Sequence, residues 1–397
     1  MNSYKIFIYL KYNLRNIIKF INGVIMAELF NGLESYGSNE LLKELKNKKP
    51  FFICTIATTS TSNIPYISGA GATPELMEYT PAGDVELIVR EELKCCDIPP
   101  QTIVGGVSAP TPAILTKAVL ELTNVPYLIA DAGSKIKPDV PFITISKDSK
   151  YGEDIRTGKA VKNPKKIFED SKIIGNELSK HNDYIVIGES IPAGTTTVLG
   201  VLTALGYDAD FKVSGSLPKN PHNLKRKVVM EGLSNAGILD GIGNVKKIDP
   251  FEAVAAVGDP MIPSVAGMVF GSNVPIILAG GTQMAGVCSF IKAVNHKFDF
   301  SKICIGTTKF VADDDNSDLF NIISQIGEID VHVVNPKFEK SSNDGLKNYI
   351  KGFAKEGVGA GGVMLMALLL GYSIEDIHGK IEEYVNNYSE YTNINFG

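Results

Sequence analysis

The sequence predicts an α/β fold: a three-layer, doubly wound and mainly parallel sheet with helices on both faces and a smaller cap from the terminal segments. After residue 26, short β-rich runs alternate with longer segments of helical period, which is typical of parallel strands joined by helices. Each strand-like run is apolar at nearly every position, as expected for a strand buried on both faces. No linker divides the chain, so we expect residues 26–397 to form a single domain.

The predicted elements alternate along the chain. Short apolar runs rich in Val, Ile, Phe and Tyr predict strands at residues 51–57, 85–89, 127–131, 184–188, 274–280, 302–306 and 331–334. Longer runs of helical period predict helices at residues 111–122, 164–180, 195–205, 224–236, 282–294, 345–354 and 359–370. Irregular stretches at 60–84, 133–163 and 307–318 are expected to help form a site, because loops of that length are usually functional.

Residues 1–25 differ in composition from the rest of the chain. They carry no acidic side chain, and their charges interrupt the apolar residues too often for the core of a signal peptide. The basic residues are Lys5, Lys11, Arg15 and Lys19. Two interpretations stay open: upstream codons read from a wrong start, which the sharp break before Met26 favours, or a helix on a membrane surface.

Composition and charge argue against several classes of function. The net charge is only −5, so no broad cationic field is present and we expect no nucleic-acid partner. The uncharged apolar stretch at 361–371 is about half of the ~20 residues that span a bilayer, so we expect no membrane span. None of the five cysteines forms a Cys-x2-Cys pair and the five histidines are scattered, which indicates a reducing, cytoplasmic location and no protein-held metal.

Ligands of a doubly wound sheet bind beyond the carboxyl ends of its strands, so the residues that follow each strand are the first candidates for a site. The loop GESIPAGTTT at 188–197 joins a predicted strand to a predicted helix. Amides and hydroxyls at a helix N-terminus bind anions, which makes Gly194, Thr195 and Thr196 candidate phosphate-binding residues. The loop lacks the patterns of a P-loop or a dinucleotide fold, and the alternative is that Thr195 only caps the helix.

Two further stretches carry chemically useful side chains. Residues 213–220, VSGSLPKN, contain Gly215 and precede the cations Lys225, Arg226 and Lys227, which could complete an anion site. For Lys225 and Arg226 a solvated helix face is the better expectation. Residues 355–361, KEGVGAG, place Glu356 on a glycine-rich turn, where apolar walls would raise the pKa of the carboxyl and suit it to take up a proton. Considered alone, such an acid is more often a first-turn residue stabilised by the helix dipole.

In order and spacing these stretches resemble the nicotinate-nucleotide–dimethylbenzimidazole phosphoribosyltransferase family, and most of all its archaeal members. The most specific segment, DPFEAVAAVGDP at 249–260 with the residues up to Gly281, is similar to the family's FE…GG…AG…PV…DG core. The 188–197 loop resembles the family's GEMGIGNTT loop, LKRK at 224–227 its LARK stretch, and EGVGA at 356–360 its EG[ST]GA turn. The resemblance covers about residues 180–371.

The resemblance implies an enzyme that transfers the phosphoribosyl group of nicotinate mononucleotide to a benzimidazole-type or related base, for the lower nucleotide loop of cobamides. The implied roles are general base for Glu356, phosphate binding for Gly194, Thr195, Thr196 and Lys227, and contacts on the ribose or nicotinate side for Glu189 and Gly281. The partners would be these small-molecule substrates, and the pocket for the base would need residues from 27–180.

The chemistry of such a transfer agrees with the residue types. Nicotinate leaves as a ring without positive charge, so no metal or other cofactor is expected. One carboxylate with a raised pKa suffices to take the proton of the acceptor N–H. We therefore interpret the acidic triplet Asp313, Asp314 and Asp315 as a solvated turn and not as a magnesium site.

We expect a symmetric homodimer, because the resemblance implies one and because the apolar segments 263–274 and 361–370 exceed what one sheet face needs. Two other functions stay open. A homologue could bind the mononucleotide without turning it over, or a kinase or dehydrogenase could use the same architecture, in which case ATP or NAD would bind.

Overall fold

The mainly parallel sheet is present in the computed structural model of the chain, which describes residues 30–240 and 242–392. The predicted extension, 1–25, lies outside these residues. The strands within them are β1 (Leu33–Tyr36), β2 (Pro50–Ala57), β3 (Gln101–Val104), β4 (Val107–Pro110), β5 (Tyr127–Gly133), β6 (Ile143–Thr144), β7 (Tyr184–Ser190), β8 (Ile276–Ala279), β9 (Ile303–Thr308) and β10 (Asp330–Val334). In this part of the chain the large sheet has the order β1-β10-β9-β8-β7-β2-β5-β6, and β3 and β4 form a separate ribbon.

The winding of the sheet reverses beside β2. Strand β2 pairs in parallel with β5 on one side and with β7 on the other. The chain steps outward from β2 to β5 and β6, and then returns to β7, β8, β9 and β10 on the opposite side. Only β1, which is antiparallel to β10, breaks the parallel order within the described part of the large sheet. The reversal between β2 and β7 is where a doubly wound sheet opens a crevice for a ligand.

Helices cover both faces of the sheet. Those of the described residues are α1 (Glu40–Leu45), α2 (Thr80–Arg90), α3 (Pro112–Thr123), α4 (Pro164–Ser179), α5 (Gly194–Ala204), α6 (His222–Asn235), α7 (Pro250–Val257), α8 (Met261–Gly271), α9 (Thr282–Val294), α10 (Lys309–Ala312), α11 (Leu319–Ile326), α12 (Asp344–Ile350), α13 (Ala360–Leu369) and α14 (Ile374–Thr392). Proline in the first turn favours α3 and α7, where the side chains of Thr111 and Asp249 cap the free amides.

The strands contribute alternate side chains to two apolar cores. In β7, Ile185 and Ile187 pack with the helices α4 to α9. Tyr184 and Val186 point to the other face and pack with α1 to α3 and α12 to α14. Because both faces are covered, the central strands β2, β5, β7, β8 and β9 read as nearly continuous apolar runs, which is why the sequence predicted them.

Helix α13 lies unusually close to the sheet. A Cβ at Gly362 would stand 2.2 Å from the Cβ of Ala279 in β8, so only glycine allows this approach. Small residues in the first turn of α13 therefore bring the residues before it, including Glu356, against the end of β9.

The strand predicted at 85–89 is wrong, because these residues belong to helix α2. Pro81 in the first turn and Glu91 in the left-handed conformation that ends α2 mark a helix. A short apolar run such as VELIV fits a strand or a buried helix equally well. Helix α2 is buried on nearly all sides, and an all-round buried helix loses the amphipathic pattern by which helices are recognised.

Internal residues cover the carboxyl edge of the sheet, whereas the terminal segments that the structure describes join one edge of the sheet or pack on its helices. Residues 68–70 and 100–102, the latter from β3, reach the pocket at this edge. Strand β1 forms an edge of the sheet and α14 packs on α3. Among the described residues, no helix is long and apolar enough to cross a membrane.

The apolar segments 263–274 and 361–370 do not supply the surface that we expected for a homodimer. They fall largely in α8 and α13, which are buried inside this chain. The expectation of a homodimer therefore rests on the resemblance alone.

Candidate active site

A pocket opens at the carboxyl ends of β7 and β8, beside the point where the winding reverses. Its wall combines residues 189–195 after β7, 214–216, 281–283 at the start of α9 and 354–358 before α13 with residues from 68 to 112. It brings together most of the predicted site residues, namely Glu189, Gly194, Thr195, Gly215, Gly281 and Glu356. Thr196 and Lys227 do not line it.

Glu356 is clamped between the end of β9 and the start of α13. Its Oε1 accepts hydrogen bonds from the amides of Gly361 (3.1 Å) and Gly357 (3.2 Å), and its Oε2 accepts one from the amide of Thr308 (3.0 Å). Burial raises the pKa of the carboxyl to about 7, although these donors pull it down. At neutral pH the group can therefore both hold and release a proton, as a general base must.

The turn that carries Glu356 is strained. Gly357, Val358 and Gly359 all have positive φ, and a β-branched residue such as Val358 rarely adopts φ +55°. Two contacts hold it there: the amide of Val358 donates to the carbonyl of Glu189 at 2.8 Å, and the hydroxyl of Thr116 donates to the carbonyl of Val358 at 2.9 Å. Such strain persists where surrounding contacts fix it, and it is common at functional sites.

Glu189 stands at the end of β7 and is 3% exposed. Burial, and then the like charges of Asp259 and Glu356, raise the pKa of its carboxyl well above the usual range. Both effects favour the neutral carboxyl, which is the form that can donate a hydrogen bond.

The loop 191–195 turns the chain from β7 into α5. Ala193 adopts φ +63°, and a Cβ at Gly194 would stand 2.3 Å from Nε2 of Gln283. The amides of Gly194 and Thr196 donate to the carbonyls of Ile191 and Ala193, so these two amides are occupied within the loop. Thr195 faces the pocket, whereas Thr196 is fully buried behind it. The predicted phosphate role of Thr196 is therefore not supported by its position.

Lys225 is the cation that contacts this loop. It is fully buried, and its Nζ donates to Oγ1 of Thr195 at 2.9 Å and to the carbonyl of Ser214 at 2.8 Å. The expectation of a solvated side chain was wrong for Lys225. Lys227, to which the resemblance gave this role, is exposed, because two residues along a helix turn the side chain by roughly 200°.

Burial, together with the charge of Lys355, lowers the pKa of the Lys225 ammonium to about 7, although Asp314 pulls it upward. No carboxylate of the described residues lies within 4.0 Å of its Nζ. Two of the three ammonium hydrogens are bound to neutral oxygens, so one is left for a ligand. An anion in the pocket would favour the charged form of Lys225.

Lys355 is a second buried cation on this side. Its side chain is 2% exposed, its Nζ lies 2.9 Å from Oδ2 of Asp314, and it donates to the carbonyl of Leu217 at 3.1 Å. Asp314 was predicted to be part of a solvated turn. Its side chain is only 4% exposed, although Asp313 and Asp315 on either side are exposed as predicted.

The sequence reasoning missed three polar residues of the pocket wall, Asp84, Ser190 and Thr111. Asp84 of α2 is 2% exposed and accepts hydrogen bonds from the hydroxyls of Ser190 and Thr111, both at 2.6 Å. All three residues line the pocket. Asp84 ends the irregular stretch 60–84 that was expected to help form a site, but the wrong assignment of residues 85–89 to a strand hid that it belongs to a buried helix.

The pocket thus has two sides of different chemistry. An anion side is lined by Thr195, Gly215 and Lys355, and the fully buried Lys225, which does not itself line the pocket, donates to Thr195 from behind the wall. An acidic side contains Asp84, Glu189 and Glu356. This arrangement suits a ligand with an anionic group at one end and a proton to lose at the other.

Comparisons with known proteins agree with this architecture. No family model matches the chain. Two solved structures from Thermus thermophilus are similar in fold. One is described as CobT and has a TM-score of 0.56 and 15% identity, covering 85% of this chain and 88% of that chain. The other is described as a nicotinate-nucleotide-dimethylbenzimidazole phosphoribosyltransferase and has a TM-score of 0.54 and 14% identity, covering 86% of this chain and 90% of that chain. The fold that the resemblance implied is therefore confirmed.

Relatives of higher identity are UPF0284 proteins. One from Methanothermobacter thermautotrophicus is 56% identical over 359 residues, which are 90% of this chain and 99% of the relative. Another, from Methanocaldococcus jannaschii, is 42% identical over 354 residues, 88% of this chain and 95% of the relative. At this identity and coverage, the chain belongs to the UPF0284 protein family.

Proposed function

We propose that the protein transfers the phosphoribosyl group of nicotinate mononucleotide to a benzimidazole-type or related base, which gives an α-ribotide for the lower nucleotide loop of cobamides. One observation carries the proposal: a pocket at the switch point of the sheet has one buried ammonium group in its wall, a second directly behind Thr195, and a carboxyl whose pKa is about 7. The fold likeness to the two solved structures supports it.

The anion side would bind the phosphate of the mononucleotide. Lys225 offers the remaining ammonium hydrogen, and Thr195, whose Oγ1 accepts from Lys225, has a hydroxyl hydrogen to donate. Gly215 lies between Lys225 and Asn220, and a Cβ there would stand 3.1 Å from the Nζ of Lys225. Glycine at this position leaves room for a phosphate oxygen to reach the ammonium group.

Glu356 would be the general base. Its three amide donors occupy three of about four lone-pair positions of the carboxylate. The hydroxyl of Thr307 lies 3.5 Å from Oε2, too far for a strong hydrogen bond, so a ligand N–H can take that position. The pKa near 7 allows Glu356 to accept the proton at neutral pH and return it to solvent afterwards.

The reaction then balances without a further reactant. The C1′–N bond to nicotinate breaks, and its electron pair returns to the pyridine ring, which loses its positive charge. A nitrogen of the acceptor forms the new bond to C1′, and the N–H proton of the acceptor moves to Glu356. Glu189 and Gly281, which both line the wall, would contact the ribose or nicotinate side, and the raised pKa of Glu189 favours the form that donates a hydrogen bond.

The test is release of nicotinate from the mononucleotide by the full chain, with and without an added base, followed by chromatography. The proposal predicts that release depends on the base and is matched by an equal amount of ribotide. Thermal-shift measurements with nicotinate mononucleotide, ATP and NAD accompany it, since a ligand of the native state raises its apparent stability. Binding of the mononucleotide without turnover would point to a non-catalytic homologue, and stabilisation by ATP or NAD alone would contradict the proposal.

A further inference from the structure

Asp84 lies in the wall of the pocket beside Ser190, at the end of β7. It is presented by α2 and is 2% exposed, and its neighbours in the wall, Thr80, Gln101 and Pro112, are uncharged. Its hydrogen-bond partners are Ser190 and Thr111 and not Lys225 or Glu356, yet it lines the same pocket as Glu356.

The hydrogen bonds of Asp84 leave part of the carboxylate unused. Each oxygen accepts one hydroxyl, from Ser190 and from Thr111, both at 2.6 Å. No Lys, Arg or His of the described residues lies within 4.0 Å of it as an ion-pair partner. A carboxylate has about four lone-pair positions, so roughly two are free.

This arrangement is costly unless a ligand completes it. A buried carboxylate without a cation is destabilising, and burial raises the pKa of Asp84 to about 6 against the pull of the two hydroxyls. At neutral pH the group is still mostly ionised, so it is an acceptor and not a donor. A ligand group that covers the carboxylate must therefore donate a hydrogen bond to it. A group that cannot do so removes water from the charge without replacing the lost hydrogen bonds.

We propose that Asp84 determines which acceptor the site takes: it accepts a hydrogen bond from a donor, such as an amino group, on the edge of the ring remote from the reacting nitrogen. This inference rests on the proposed function, because it assumes that the acceptor ring fills the side of the pocket formed by residues 68–112. The structure then favours rings with such a donor over rings of equal size that carry only methyl groups.

The physical reason is the asymmetry of buried hydrogen bonds. An amino group on the ring satisfies the free lone pairs of Asp84, whereas a methyl group removes water from the carboxylate and returns nothing. A site built to accept a hydrogen bond rejects analogues that lack the donor far more strongly than an apolar pocket rejects a change in size.

A matched pair of acceptors tests this: 5-aminobenzimidazole and 5-methylbenzimidazole, which share the reacting nitrogens and are nearly equal in size. With the full chain and nicotinate mononucleotide, we expect kcat/KM to be roughly 10- to 100-fold higher for the amino compound. Equal values, or a preference for the methyl compound, would overturn the inference and leave the proposed function intact.

The variant Asp84→Asn keeps the volume of the side chain and replaces one acceptor with a donor, so the preference should fall to near unity. Asp259→Asn is the matched control. Asp259 is likewise fully buried and accepts a hydrogen bond from a threonine, Thr197, but it does not line the pocket. The acceptor preference of this control should be unchanged even if its stability falls. An unchanged preference in Asp84→Asn would overturn the inference.

Calorimetric binding of the two rings in the presence of nicotinate mononucleotide separates the two proposals. Loss of turnover with every acceptor would sink the proposed function, while tighter binding of the amino compound would still support the role of Asp84. Should Asp84→Asn fail to fold, the ratio measured on the native protein decides the question by itself.

Discussion

Removal of the Lys225 ammonium should weaken binding of nicotinate mononucleotide without weakening the ligand-free protein. In Lys225→Met the side chain keeps its length, but the phosphate loses a charge-assisted hydrogen bond worth about 1.5–3 kcal/mol. That loss corresponds to a rise in Kd of roughly 10- to 150-fold. Titration calorimetry with the mononucleotide measures it directly.

The same change should alter how stability depends on pH. Burial lowers the pKa of Lys225 from 10.5 to about 7, so between these values the unfolded chain binds more protons than the folded one. Through this group, the free energy of unfolding of the native protein should therefore increase between about pH 7 and pH 10.5. This increase should be absent in Lys225→Met. Urea unfolding at several pH values shows whether it does.

Lys227→Met provides the control, because Lys227 is exposed, whereas Lys225 is buried and donates to Thr195 of the pocket wall. It should bind the mononucleotide as the native protein does. Equal affinity in the native protein and Lys225→Met, or an equal loss in both variants, would refute the assignment of Lys225 to the phosphate.

Further expectations follow from the same contacts. Gly361→Ala should lower stability by about 1–3 kcal/mol and impair turnover, because its Cβ would stand 2.3 Å from the carbonyl carbon of Thr307. Gly379→Ala is the control: a Cβ there has no neighbour within 4 Å, so this variant should not be destabilised. Thermal unfolding compares the two variants. The pH profile of kcat/KM should be bell-shaped and centred near neutrality, rising as Glu356 loses its proton and falling as Lys225 loses its own, both with a pKa of about 7; a flat profile would contradict these roles. Light scattering should give the mass of a homodimer of the 42.8 kDa chain, and a monomer at micromolar concentration would contradict that expectation.

The sequence was most informative where one physical requirement dominates a segment. Strands buried on both faces must be apolar throughout, so residues such as Ile185 and Val186 revealed β7 directly. Glu356 was also found in this way, since an acid at the start of a glycine-rich turn before an apolar helix is an unusual combination. The amides of Thr308 and Gly361 both donate hydrogen bonds to Glu356. Thr308 is distant from Glu356 in the sequence, so these contacts could not be predicted from the spacing of residues along the chain.

The sequence-based predictions were wrong where contacts between distant segments override what the local sequence pattern indicates. Lys225 belongs to a run of cations, and such runs are usually solvated, but one face of α6 is buried in the protein and Lys225 lies on that face, where it reaches Thr195. Asp84 was missed because the apolar residues after it fit a strand as well as a buried helix. In both cases the side chain is buried by contacts with segments far away in sequence.

The most direct test of the central claim is the turnover of Glu356→Gln with a benzimidazole-type acceptor. Glutamine keeps the size of the side chain and can still accept hydrogen bonds from the amides of Gly357 and Gly361, but it cannot take up the proton. If Glu356 is the general base, kcat should fall by about 10²- to 10⁴-fold while the affinity for nicotinate mononucleotide is retained. Native turnover in this variant with every acceptor tested would contradict the proposed mechanism.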